Sequence, residues 1–162
     1  MRLFIALVLS DEAKNALAQT QLLLKRAGVR GSYVPESNFH ITLAFIGEYG
    51  DPARVLSVLR SAGDPRFSVT IGGIGAFRGV LWAGADGGRA LFEYAAKIRG
   101  LLENAGIPYD KKRFSPHITL LRGPDRTEIP AEAAPAVTVR CVHAALMRSD
   151  RGEHGMIYTE IK

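Results

Sequence analysis

Four residues recur as one identical string. His40-Ile41-Thr42-Leu43 is repeated as His117-Ile118-Thr119-Leu120, and the second copy lies 77 residues after the first (117 − 40 = 77). Side chains alternate faces along a strand, so in each copy the histidine and threonine share one face while the isoleucine and leucine share the other. Two of only four histidines in the chain are thereby placed in equivalent surroundings. If the copies are related by a twofold axis, their polar faces meet across a cleft. A pair of imidazoles there can perform acid–base chemistry on a phosphate ester. An ordinary imidazole titrates near about 6.5, so one can be neutral and take a proton while the other is charged and gives one. The threonine hydroxyls can donate hydrogen bonds to non-bridging oxygens as charge builds there. Arg122, just past the second copy, can add a forked donor to the phosphate.

A strand duplicated for packing alone would keep Ile and Leu but has no need of His and Thr on the opposite face. The other histidines, His143 and His154, have no partners at ligand spacing and read as surface or internally satisfied groups. No His-Glu-x-x-His or comparable signature is present, and the lone Cys141 can form neither an internal disulfide nor a thiolate cluster for zinc. No metal and no cofactor is therefore expected. The lone cysteine favours a reducing compartment, the cytoplasm.

The elements that must carry these residues can be read around them. Residues 3–9 form an apolar run too short for a membrane span and followed at once by Ser10-Asp11-Glu12, without a small-residue cleavage pattern; they read as a buried strand rather than a leader. Ser10 caps a helix that runs to Gly28. Tyr33-Val34-Pro35 is extended and leads to a strand over residues 39–46. Asp51-Pro52 starts a second helix ending near Gly63. Strands are expected over residues 67–71 and 80–83, with the glycine-rich stretch 71–79 as a turn region between them. It lacks the Gly-Lys-Ser/Thr ending of a phosphate loop. A helix spans residues 90–104 and stops at Gly106. A strand over 117–121 follows, then a Pro- and Ala-rich loop over 124–135 and strands over 137–142, 145–148 and 156–160.

The 162 residues suit one domain, with an apolar fraction of 47% that fits a globular chain. The expected fold is α+β: a single bilobal domain over residues 1–162, each lobe a mainly antiparallel sheet with helices on its outer face, related by a pseudo-twofold axis and with the site in the cleft between them. The net charge of +5 suits a polyanionic partner, and Lys111-Lys112-Arg113 before the second motif and Arg122 and Arg126 after it gather positive charge there.

The chain resembles the 2H phosphoesterase superfamily, and within it the bacterial RNA 2′,3′-cyclic phosphodiesterases, also described as 2′-5′ RNA ligases. The resemblance runs nearly end to end: Arg2-Leu3-Phe4-Ile5-Ala6-Leu7 as the opening strand, residues 34–47 around the first motif, Val80-Leu81-Trp82-Ala83-Gly84 as a middle strand, and residues 114–122 around the second. It implies His40 as proton donor to a leaving 3′ oxygen, His117 as the base that activates water, and a phosphate cradle of Thr42, Thr119 and Arg122. It implies a 2′-phosphomonoester product from RNA or a nucleotide bearing a 2′,3′-cyclic phosphate, formed without metal. One departure is Tyr33, where relatives often carry tryptophan; a tyrosine can still stack on a base. A monomer without membrane attachment is expected. Two other functions fit the same residues: a 2′-5′ RNA ligase, in which a ribose hydroxyl replaces water, and an RNA- or nucleotide-binding module without turnover.

Overall fold

The computed structural model describes residues 1–140 and 143–162. The chain runs β1 (Arg2–Val8), α1 (Asp11–Arg26), β2 (Ser32–Tyr33), a 3-10 turn at Glu36–Asn38, β3 (His40–Glu48), α2 (Pro52–Ala62), β4 (Ser68–Phe77), β5 (Val80–Asp86), α3 (Gly88–Asn104), β6 (His117–Arg122), a 3-10 turn at Ala131–Ala133, β7 (Ala136–Arg140), β8 (His143–Gly152) and β9 (Gly155–Ile161). The last two residues of the strand expected over 137–142 lie outside the described residues. Both predicted caps are in place. Ser10 Oγ accepts from the Ala13 amide at 3.3 Å, and Asp51 Oδ1 accepts from the Arg54 amide at 3.3 Å. Such caps each stabilise a helix by about 1 kcal/mol.

The strands form two antiparallel sheets, ordered β3-β1-β8-β9 and β2-β6-β5-β4-β7. The two lobes are therefore not the two halves of the chain. β4 follows the first motif yet joins β5 in the second sheet, and β8 follows the second motif yet joins β1 in the first. The helices cross in the same way. α1, which precedes β3, packs against β7 of the second sheet, while α3, which precedes β6, packs against β3 and α2, and α2 against β8 of the first. β3 and β6 touch each other, so the two copies of the motif meet where the sheets meet. Ile41, Leu43, Ile118 and Leu120 are fully buried in one continuous core. Burial of each such side chain is worth about 1.5–3 kcal/mol, which secures the opposite, polar face of each strand.

The glycine-rich stretch over 71–79 is not a turn region: β4 continues through Phe77, and only Arg78 and Gly79 turn the chain, both at positive φ. Its glycines serve the strand. Gly73, at φ +68°, is the extra residue of a bulge opposite β5. A Cβ on Gly75 would come 2.2 Å from the Trp82 ring, so the bare backbone there is what lets the indole lie flat on the strand. No helix among the described residues is long and apolar enough to cross a membrane.

Candidate active site

His40 and Thr42 from β3, and His117, Thr119 and Arg122 from β6, all line one open cavity of about 1200 Å³ between the sheets. The structure thus brings together every site residue expected from the sequence. Strict alternation would not have done so. Arg122 is five positions after His117, an odd offset that turns a side chain to the opposite face. A β-bulge corrects this. Leu81 pairs with Leu121 but Trp82 pairs with Thr119, so Leu120 is an extra residue and the strand changes face beyond it. The same bulge occurs in the first copy, where Ile5 pairs with Ala44 and Ala6 with Thr42, leaving Leu43 as the extra residue. The position equivalent to Arg122 is Phe45, which also lines the cavity. The bulge is duplicated, but where the second copy carries Arg122 the first carries an aromatic ring, over which the Arg2 guanidinium lies 5.1 Å from the centroid.

Both histidines are held alike. His40 Nδ1 lies 2.8 Å from the Asn38 carbonyl oxygen, and His117 Nδ1 lies 2.7 Å from the Ser115 carbonyl oxygen. A carbonyl can only accept, so each Nδ1 carries a hydrogen and Nε2 is the ring nitrogen outside this tether. Asn38 is itself buried and donates from Nδ2 to the Met156 carbonyl at 2.8 Å, which ties the turn before β3 to β9.

The two rings differ in their walls. His40 stands between Phe4 and Tyr158, with centroids 5.0 and 5.3 Å away, and its Nε2 is 2.9 Å from Thr42 Oγ1. Burial pushes the His40 pKa below the ordinary imidazole value, the Asn38 carbonyl partly opposes this, and the charges of His117 and Arg122 push it down further. His117 lies edge-on to Phe77 at 5.0 Å with Trp82 behind it at 6.3 Å. Phe77 is among the few large hydrophobic side chains left exposed. These four aromatic walls escaped sequence reasoning, because Phe4 and Trp82 read as strand core and Phe77 as part of a turn.

Charge around the cavity is mainly positive. Lys112 and Arg113 line it as the basic run suggested, joined by Arg78 and Arg151, against Asp110, Asp150 and Glu48. Lys111 is drawn away into an ion pair with Glu103 at 3.0 Å. Arg126 is also drawn away, and its guanidinium donates to the Gly28 carbonyl at 3.2 Å just beyond the end of α1. Arg122 makes no ion pair among the described residues. Tyr33 lies in an adjoining pocket of about 380 Å³ that shares Arg122, Arg151, Met156 and Tyr158 with the main cavity; its hydroxyl donates to the Val29 carbonyl at 2.8 Å. His143 pairs with Glu160 at 3.3 Å, while His154 lines the adjoining pocket. No group of three His, Cys, Asp or Glu side chains that could hold a metal ion occurs among the described residues.

Comparison with known proteins places this arrangement in a family. Residues 9–153 match the 2′-5′ RNA ligase superfamily. The chain is 32% identical over 132 residues to an RNA 2′,3′-cyclic phosphodiesterase of Thermotoga maritima, covering 75% of this chain and 70% of that protein. It is 34% identical over 123 residues to an RNA 2′,3′-cyclic phosphodiesterase of Aeropyrum pernix, covering 71% and 70%. The fold superposes on the crystal structure of Escherichia coli LigT complexed with 3′-AMP with a TM-score of 0.80 at 28% identity, over 99% of this chain and 95% of that one. The chain belongs to the 2′-5′ RNA ligase superfamily, the 2H phosphoesterases, as its duplicated histidine-threonine strands indicated.

Proposed function

We propose that this protein is an RNA 2′,3′-cyclic phosphodiesterase that opens the cyclic phosphate to a 2′-phosphomonoester with two histidines and no metal. The observation that carries the reading is the equivalent tethering of His40 and His117, each through Nδ1 to the carbonyl two residues upstream, on the wall of one cavity. His117 Nε2 takes a proton from water as the water oxygen attacks phosphorus. The P–O3′ bond breaks, and His40 Nε2–H gives its proton to the departing 3′ oxygen. Thr42 and Thr119 hydroxyls and the Arg122 guanidinium hydrogen-bond the non-bridging oxygens as their charge grows.

The lowered His40 pKa bears directly on this assignment. A proton donor must be charged when substrate is bound, and burial, with the Arg122 guanidinium adding to it, opposes that charge in the free protein. The phosphodiester anion supplies the missing negative charge, so binding and protonation of His40 favour each other. Bound substrate therefore keeps His40 in its protonated, donor form. The relatives named as RNA 2′,3′-cyclic phosphodiesterases support the substrate class, and the basic wall suits an RNA strand. We further propose a cytoplasmic monomer, a setting in which the lone cysteine stays reduced.

A ligase reading shares this chemistry, with a 5′-hydroxyl in the place of water at His117. The cavity of about 1200 Å³ has room for a second nucleotide. Incubation of the purified protein with a nucleoside 2′,3′-cyclic phosphate, with the product isomer identified, tests the main reading. A 2′-phosphate product supports it. A 3′-phosphate would reverse the leaving oxygen, and no hydrolysis of mononucleotide or oligonucleotide substrates would refute it.

A further inference from the structure

The carbonyl of each bulge residue accepts a hydrogen bond from a side chain on a helix. Leu43, the extra residue of β3, accepts from Arg99 Nε at 3.0 Å. Leu120, the extra residue of β6, accepts from Gln21 Nε2 at 2.9 Å. Each of those side chains also holds a second carbonyl. Arg99 Nη1 donates to Lys112 at 2.8 Å, in the loop that leads into His117, and Gln21 Nε2 donates to Val34 at 2.8 Å, in the segment that leads into His40. The two arrangements correspond across the repeat, with Arg99 and Lys112 one position beyond the 77-residue offset of the motifs (99 − 21 = 78, 112 − 34 = 78). Arg99 ties the first motif's bulge to the approach to the second motif. Gln21 ties the second motif's bulge to the approach to the first. Backbone bonds follow the same lines, from the Val34 amide to the Leu120 carbonyl at 3.0 Å and from the Asp110 amide to the Phe45 carbonyl at 2.7 Å.

We infer that Gln21 and Arg99 are paired positioning residues that set the register of His40 against His117, an inference that rests on the two-histidine reading above. A buried carbonyl needs a donor in any fold, and a single local donor would meet that need. These side chains do more, because each spans both motifs. Gln21 is 7% exposed, uncharged and away from the cavity wall, so it has no path to substrate. Arg99 reaches the wall, yet two of its nitrogens are committed to carbonyls and its guanidinium lies 5.5 Å from the Phe114 ring and 6.0 Å from the Tyr109 ring. In-line displacement needs acid and base on opposite sides of phosphorus, and a misplacement of about 1 Å can cost about 100-fold in rate. A residue that fixes the histidines relative to one another should therefore act on turnover rather than on binding.

Two variants test this. Gln21→Met keeps volume and removes both donors, while Arg99→Lys keeps the charge and loses the fork. Each is expected to lower kcat about 10-fold or more with KM within about twofold, the pattern of an interaction made in the transition state. In a His117→Ala background, Gln21→Met is expected to lower the residual rate by less than about twofold, because it acts through the missing imidazole. The imidazole nitrogen resonances of His40 and His117 in Gln21→Met supply a readout independent of activity, and they are expected to shift although residue 21 bonds to neither ring. Unchanged kcat with unchanged resonances would overturn the inference, as would the same fold loss with and without His117. An Arg99→Lys effect confined to KM would make Arg99 a phosphate contact instead. If His117→Ala itself turns over at near-normal rates, the two-histidine reading fails, and shifted or unshifted resonances alone decide whether the clamp exists.

Discussion

His40 Nε2 and Thr42 Oγ1 are 2.9 Å apart, and no such bond joins His117 to Thr119 among the described residues. The repeated string thus supplies two histidines of the same orientation in different electrical settings. With His40 neutral, the Thr42 hydroxyl donates to Nε2. With His40 charged, Nε2–H is the donor and the hydroxyl is released toward a phosphate oxygen. In the proposed mechanism, binding of the phosphate anion moves the pair from the first state to the second.

The pH dependence follows from the lowered His40 pKa. If His40 is the acid, kcat/KM, which reports free protein, falls as pH rises through a value below the ordinary imidazole value of about 6.5. The corresponding limb of kcat lies at higher pH, because bound phosphate stabilises the charged ring. Rate profiles of both parameters check this. A kcat/KM that instead rises with pH through that value and stays level would make His40 the base.

The same electrostatics can be read without turnover. His117 lowers the His40 pKa through its charge, so His117→Asn should move the His40 titration upward when followed by imidazole nitrogen shifts. An unmoved titration would mean that the two rings do not sense each other.

The cradle predicts a contrast between two arginines. Arg122→Ala removes a charged donor worth about 1.5–3 kcal/mol, so kcat/KM should fall about 10- to 100-fold. Arg126→Ala removes contacts to the carbonyls at the end of α1 and should leave kcat/KM within about twofold, with a stability loss of about 0.3–1 kcal/mol. Equal small effects would take Arg122 out of the cradle.

Much of this site was legible in the sequence because the informative string is repeated identically, and because Ser10, Asp51 and Pro52 mark helix starts through local chemistry. What stayed hidden depends on partners distant in the chain. The bulges at Leu43 and Leu120 leave no local signature, yet without them Arg122 would face the core. Nothing in the sequence singles out Gln21, which is buried because α1 crosses to the sheet of the other motif. The glycines of residues 71–79 read as loop because glycine usually marks one. In β4 they mark a bulge and the approach of Trp82.

Gly75 provides a structural test of that close approach. Gly75→Ala would place a methyl 2.2 Å from the Trp82 ring and force the indole off the strand. Overpacking of this kind costs about 1–3 kcal/mol. Because Trp82 and Phe77 form the wall behind His117, a lowered midpoint in thermal melting should be accompanied by lower kcat. An unaffected melting midpoint would show that the ring has somewhere else to go.

If His40 and His117 alone carry the acid–base work, turnover of a nucleoside 2′,3′-cyclic phosphate needs both imidazoles and no divalent ion. In buffer exhaustively treated with EDTA, the unmodified protein should keep full activity, and folded His40→Ala and His117→Ala should each lose about 100-fold or more in kcat. Near-normal turnover by either folded variant, or loss of the unmodified protein's activity in EDTA with recovery on adding a divalent ion, would contradict it.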